Sequence, residues 1–341
     1  MGLNTDGARR LASTIEDIEA IDLIWATAAQ HRLDNLTKPQ GSLGKLERLA
    51  IQLACIKRTD RPRLGPAAVM VCAADHGIVA QGVTSYPSEV TALMVSNFLR
   101  EGAAVNQIAR VCDAQVFVYD IGVGNPTADM SKGPALTQEE CLSAILRGID
   151  EVNALSESGF DVICLGEMGI GNSAAAAALT SALTHTPLPE VVGRGAGLDD
   201  ATLAHKTAIL EQALELNCVE RLDPLEVLAA VGGREIAMMV GIILGAAARK
   251  HVIVSDGFIA GSAVLVAVAM VDTVKEYLVF SHRSAEPGHS ALLRYLAVEP
   301  LLELDMRLGE GTGAVLALPL IRSAGAVLAD METFEEAGIN V

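Results

Sequence analysis

The sequence predicts an α/β protein, a mostly parallel six-stranded Rossmann-like sheet with flanking helices, joined by a small helical subdomain built from both termini. Three observations carry this. From about residue 67 onward, short apolar or β-branched runs recur, each followed by a polar or glycine-rich turn and then a helical stretch, as in βαβ units. Hydrophobic residues make up 51% of the 341-residue chain but aromatics only 3%. Its core is therefore built from Ala, Val, Leu, Ile and Met, as where helices pack on a parallel sheet. The first 60 residues and the last 40 have helical period with no strand between.

Taken in order, residues 14–36 and 43–59 read as helices, and TKPQGSLG between them is a Pro/Gly connection that cannot be helical. Strands are expected at 67–74, 114–120, 161–166, 190–195, 251–256 and 277–282, and a helix at 313–336. The expected division is a large substrate-binding domain over 61–300 and a helical subdomain from 1–60 and 301–341. The most apolar stretches, 236–248 and 257–271, are shorter than the roughly 18 to 20 residues that cross a bilayer, so no membrane span is expected. The N-terminus lacks the continuous apolar segment of a signal peptide, and the six cysteines are scattered without C-x-x-C spacing. Reduced buried thiols and a cytoplasmic location follow as expectations. A net charge of −17 argues against a nucleic-acid partner, which needs a basic stripe.

The polar residues gather at the expected strand ends. Asp75-His76, Asp120, GEMGIGNS, Asp256 and SHRSAEPG all lie there, where open α/β sheets bind ligands. GEMGIGNSAAAAAL leaves a strand, turns through Gly166, Gly169 and Gly171, and enters an Ala-rich helix with Asn172 or Ser173 at its N-cap. Backbone N–H groups at such a start can hold a phosphate; equally, the glycines can serve tight packing alone. Asp75-His76 lacks a companion cluster of zinc-like spacing, so no metal is expected and capping or substrate orientation is the reading. His282 and His289 are turn residues or ligand contacts, and Asp256 a cap or an ordering group. Lys206, alone on a helix, reads by itself as a solvated surface residue.

Glu310 stands apart. In RLGEGTGAVLALPL it lies between Gly309 and Gly311 just before an apolar helix, where the glycines admit unusual backbone angles and close ligand approach. It reads as a candidate catalytic base, with Glu167 a second strand-end acid.

The segments TKPQGSLGKLE, ADHGIVAQGVTSYPSEVT, GEMGIGNS, GRGAGLDD, VGGREIAMMVGIILGAA, SDGFIAGSA, SHRSAEPG and MRLGEGTGA follow one another here. In that order they resemble the nicotinate-nucleotide:dimethylbenzimidazole phosphoribosyltransferase family over nearly the whole chain. The resemblance implies transfer of 5-phosphoribosyl from nicotinate mononucleotide to 5,6-dimethylbenzimidazole, with inversion at C1′, for the lower nucleotide loop of cobalamin. It implies catalytic roles for Glu310 and Glu167. Tyr86, Val90, Met94 and Met168 would surround the base, and Gly169, Gly195, Lys206 and Ser284 the phosphate. Gly171, Asn172, Asp256, Gly309 and Gly311 complete the expected substrate-binding set. No cofactor or metal is implied, and the expected assembly is a homodimer. Met94 and Tyr86 stand where some members carry Gln and Ser, which leaves adenine, another benzimidazole or a phenol open as acceptor. A catalytically silent phosphosugar-binding subunit of a paired complex is the remaining alternative.

Overall fold

The computed structural model describes residues 5–195 and 197–340. Residues 1–4 and 341 of the expected terminal subdomain therefore lie outside it. The chain opens with α1 (Thr5–Glu16), α2 (Leu23–Asn35) and α3 (Lys45–Lys57), then enters β1 (Ala67–Ala73). There follow α4 (Glu89–Leu99), α5 (Ala104–Val111), β2 (Ala114–Asp120), α6 (Gln138–Glu157), β3 (Val162–Met168) and α7 (Asn172–Thr184). Next come α8 (Leu188–Val191), α9 (Asp200–Leu216), α10 (Pro224–Val231), α11 (Arg234–Ala248), β4 (Val252–Ser255) and α12 (Phe258–Met270). The chain ends through β5 (Leu278–Phe280), β6 (His282–Arg283), α13 (Pro287–Leu296), β7 (Leu302–Glu303) and α14 (Thr312–Asp330).

Five strands form the main sheet in the order β2-β1-β3-β4-β5, and every pairing is parallel. Because β1 lies between β2 and β3, the winding reverses at β1/β3, and a crevice opens beyond the carboxyl ends of those two strands. Every residue of β1 is buried, as are β4 and β5 and all of β3 but its last residue, whereas the edge strand β2 is mostly half-exposed. Unbroken apolar runs such as AAVMVCA are what a strand covered on both faces requires.

The sheet has five strands rather than the expected six. Residues 190–195 form no strand: Pro187 and Pro189 start the one-turn α8, and proline offers no N–H to a ladder. The expected strand at 277–282 divides, with β5 in the main sheet and β6 pairing with β7 in a separate two-residue ladder. The last helix ends at Asp330 rather than 336, and Thr333 instead bridges to Leu36.

Helix α11 packs along β1, β3 and β4, with α6 laid across it, and α12 packs on β3, β4 and α7. The α6–α11 crossing is close because it is bare: a Cβ at Gly148 would lie 2.1 Å from the Met238 carbonyl oxygen, and one at Gly241 1.9 Å from that of Ile145. Backbone cannot yield as a flexible side chain does, so Gly241→Ala is expected to cost about 1–3 kcal/mol. A lowered thermal midpoint checks this; an unchanged one contradicts it. At the terminal end, α2 and α3 pack together and against α14. Arg32 fastens them, its buried guanidinium donating to the carbonyls of Leu328 (2.7 Å) and Met331 (2.9 Å). Among the described helices α14 alone is long and apolar enough to cross a membrane, yet it packs on α3, α5 and β3 with 61% of its most apolar stretch buried in the protein.

Candidate active site

At the carboxyl end of β3, Gly166-Glu167-Met168 runs into a turn and then α7. Gly309-Glu310-Gly311 reaches the same place from the far end of the chain. A Cβ on Gly166 would sit 2.8 Å from the Glu310 carbonyl oxygen, and one on Gly309 2.2 Å from Glu167 Oε1. All three residues of the 309–311 turn have left-handed backbone, with φ of 83°, 64° and 85°. For Glu310, which has a Cβ, this conformation costs about 1–2 kcal/mol, so the surrounding structure must hold it there.

Asp256 holds it. This buried carboxylate, just past the end of β4, accepts the backbone N–H groups of Gly311 (3.1 Å), Gly313 (2.7 Å) and Ala314 (3.1 Å). It is thus a cap supplied from another strand for the start of α14, where orphan N–H groups and the helix dipole favour an anion. Gly313 is bare because a Cβ there would lie 2.0 Å from His282 and 2.8 Å from Asp256 Oδ1. Both readings of Asp256, a cap and an ordering group, describe one arrangement.

The two glutamates have different surroundings. Glu167 accepts from Asn172 Nδ2 on one oxygen and from the Glu310 backbone N–H, at 3.4 Å, on the other. Glu310 Oε2 is buried with no hydrogen-bond partner. Burial, reinforced by Asp256, pushes the Glu310 carboxyl up to about 7. Burial followed by the charges of Asp256 and Glu235 pushes Glu167 up to about 8. Both carboxyls are thus raised toward neutrality, and Glu310 is the one with a free oxygen.

Asn172 is not the N-cap of α7. Gly171 takes that position with φ 97°, and Asn172, in the first turn, turns its amide to Glu167. Ser173 faces the other way and accepts from Lys206 Nζ at 3.0 Å. Lys206 is no surface residue: it is 1% exposed, also reaches the Gly193 carbonyl at 3.5 Å, and burial pushes its ammonium down to about 8. Gly195 closes on the same spot, a Cβ there lying 3.4 Å from Ser173 Oγ, and its carbonyl accepts from Arg307 Nη1 at 3.0 Å. Ser284 is buried near Gly257, a Cβ there lying 3.6 Å from its own; its N–H donates to His289 Nδ1 (2.9 Å) and its Oγ accepts from the Glu286 N–H (3.3 Å). Two groups of residues thus meet at Asn172-Ser173: the acids Glu167, Glu310 and Asp256 on one side, and Lys206 and Gly195 on the other.

Tyr86, Val90 and Met94 belong to a third side. Val90 and Met94 are half-buried one turn apart on α4, and Tyr86 precedes that helix at 49% exposure. The helix is tied to the site by the Ile170 N–H, which donates to Thr91 Oγ1 at 3.1 Å beside Met168 and Gly169.

The sequence reading missed Glu235, Glu286, Ser173 as lysine partner and the role of His76. His76 Nε2 lies 2.5 Å from Glu235 Oε1, both fully buried, and its ring lies against Gly169 and Gly233. The available signal was a single acid, Glu235, opening an otherwise apolar helix. Among the described residues no three His, Cys, Asp or Glu side chains converge as metal ligands do.

A family model described as phosphoribosyltransferase matches residues 18–339. The chain is 50% identical to the nicotinate-nucleotide–dimethylbenzimidazole phosphoribosyltransferase of Chloroflexus aggregans, covering 97% of this chain and 98% of that one. It is 48% identical to the protein of the same name from a Roseiflexus species, with the same coverage. The crystal structure of CobT from Thermus thermophilus superposes with a TM-score of 0.88 at 43% identity, covering 93% of this chain and 99% of that one.

Proposed function

The chain belongs to the nicotinate-nucleotide–dimethylbenzimidazole phosphoribosyltransferase family and is a phosphoribosyltransferase, and we propose that Glu310 is its general base and the Lys206 cluster its phosphate site. The reaction moves 5-phosphoribosyl from nicotinate mononucleotide to 5,6-dimethylbenzimidazole. The C1′–nitrogen bond to nicotinate breaks, and the ring nitrogen keeps the electron pair, losing its positive charge. That leaving group needs no proton. The demand falls on the acceptor, whose one nitrogen forms the new bond to C1′ while its other nitrogen gives up a proton. Attack from the face opposite nicotinate inverts C1′ and gives the α product.

The observation that carries this reading is the free, buried Oε2 of Glu310 beyond the carboxyl end of β3, with its pKa near the working pH. A base so placed contributes roughly 10²- to 10⁴-fold, and alignment of the two substrates supplies the rest. Both Glu167 oxygens are engaged, by Asn172 and by the Glu310 backbone N–H, which suits it to fixing the Glu310 turn rather than to taking the acceptor proton. The start of α7 and the Lys206 ammonium would hold the 5′-phosphate, an unreactive handle. The apolar face of Val90 and Met94, with Tyr86, would receive the acceptor ring.

The test is direct: purified protein given nicotinate mononucleotide and dimethylbenzimidazole should release nicotinate and form α-ribazole 5′-phosphate, both followed by mass. No release removes the reading. Lys206→Ala is expected to raise KM for the nucleotide about 10- to 100-fold, the value of one charged hydrogen bond, with little change for the acceptor. Equal effects on both would move the phosphate elsewhere. A cytoplasmic homodimer is part of the same proposal, resting on the resemblance and on the exposed apolar Leu93, Leu99 and Val111 near the β2 edge. Sedimentation at monomer mass would remove the dimer.

A further inference from the structure

Glu286 is a buried acid that the mechanism above does not use. It precedes Pro287 at the start of α13, is 8% exposed, and its Oε2 has no hydrogen-bond partner. A buried carboxylate oxygen left unpaired is costly and is retained where a ligand completes it. The surroundings are built around it. A Cβ on Gly193 would lie 1.7 Å from Glu286 Oε2, so that position is bare to admit the carboxyl. The Gly193 carbonyl accepts from Lys206, which holds Ser173 at the start of α7. Three further groups bear on Glu286: the Lys206 ammonium from α9, the exposed Arg307 guanidinium, which is tied to the Gly195 carbonyl, and the Gly195 backbone N–H.

Charge decides what happens when a phosphate enters here. Lys206 and Arg307 bring two positive charges, whereas a phosphate dianion and an ionised Glu286 together bring three negative ones. In a desolvated site one added proton balances the sum, as when two carboxylates share a proton. We propose that Glu286 is a specificity-determining residue of the phosphate pocket: ionised in the free protein, it takes up a proton as the nucleotide phosphate arrives and donates an O–H hydrogen bond to a phosphate oxygen. This rests on the reading of the Lys206 cluster as the phosphate site. Burial already pushes the Glu286 carboxyl above its ordinary range, opposed by Lys206 and Arg307, and a second anion beside it pushes it further the same way.

The experiment is calorimetric titration of nicotinate mononucleotide into the full-length protein near pH 7, in two buffers of different ionisation enthalpy. Wild type is expected to take up protons on binding, toward one per nucleotide, with Kd weakening as pH rises. Glu286→Gln, which donates a hydrogen bond without titrating, is expected to bind with almost no proton uptake and a flat profile. Equal uptake by both proteins overturns the proposal. So does the absence of uptake by wild type, a result that does not depend on how the variant folds. Nicotinate riboside separates the two levels. If it binds as tightly as the nucleotide, the phosphate reading of the Lys206 cluster has failed. If the nucleotide binds tighter but both proteins take up equal protons, the role of Glu286 alone has failed.

Discussion

Glu310→Gln is expected to lose roughly 10²- to 10⁴-fold in kcat while folding normally and binding nicotinate mononucleotide with unchanged Kd. The amide keeps the shape of the side chain and removes only its ability to accept the proton. The variant should melt at or above the wild-type temperature at neutral pH. The carboxyl is buried without a partner for Oε2 on a turn of three left-handed residues, an arrangement that costs stability for the sake of chemistry. A low kcat with a higher melting point separates loss of a base from loss of a fold. Near-wild-type kcat would take Glu310 out of the mechanism.

Asp256 is expected to give the second large effect, and its two substitutions should differ in kind. Asp256→Ala strips the acceptor from three backbone N–H groups at the buried start of α14, and no water-exposed route replaces it. A loss of about 3–5 kcal/mol is expected in denaturant unfolding, the range seen when one partner of a buried charged network is removed. A loss within the ordinary surface range would mean the cap is dispensable. Asp256→Asn retains an oxygen for the N–H groups but removes the negative charge. Because that charge helps hold Glu310 at about 7, the Glu310 carboxyl should ionise at lower pH in this variant. The sign follows: a base active only when ionised is lost as pH falls through its pKa, so wild-type activity falls below about 7. In Asp256→Asn that fall should come at lower pH, with a reduced plateau because the base is weaker. An unmoved limb would show that Asp256 acts on geometry alone.

Much of this was legible in the sequence because it rests on local pattern. The βαβ alternation, strands β1 to β4 and Glu310 between its glycines all follow from spacing and conformational freedom read within a dozen residues. What could not be read depends on residues far apart in the chain. Lys206 carries no mark of burial in its own helix; its burial comes from Ser173 and Gly193, brought together by the winding of the sheet. The apolar run at 190–195 looked like a strand because valines favour strands, but the prolines just before it and the need to leave room for Glu286 against Gly193 decided otherwise. Asn172 fits the N-cap rule by composition, and the nearby Glu167 carboxylate claims its amide instead. Family resemblance named Glu167 and Glu310 as partners; the fold explains the pairing, because Gly166 and Gly309 let two distant segments touch.

Whether the Glu310 carboxylate takes the acceptor proton is read from the dependence of kcat on pH, since kcat reports the groups of the bound complex. Wild type should show one acidic limb of unit slope, because burial and Asp256 raise the Glu310 carboxyl above the ordinary range. In Glu310→Gln the limb should vanish and leave a low rate that is flat with pH. The same limb persisting in the variant would mean that another group takes the proton.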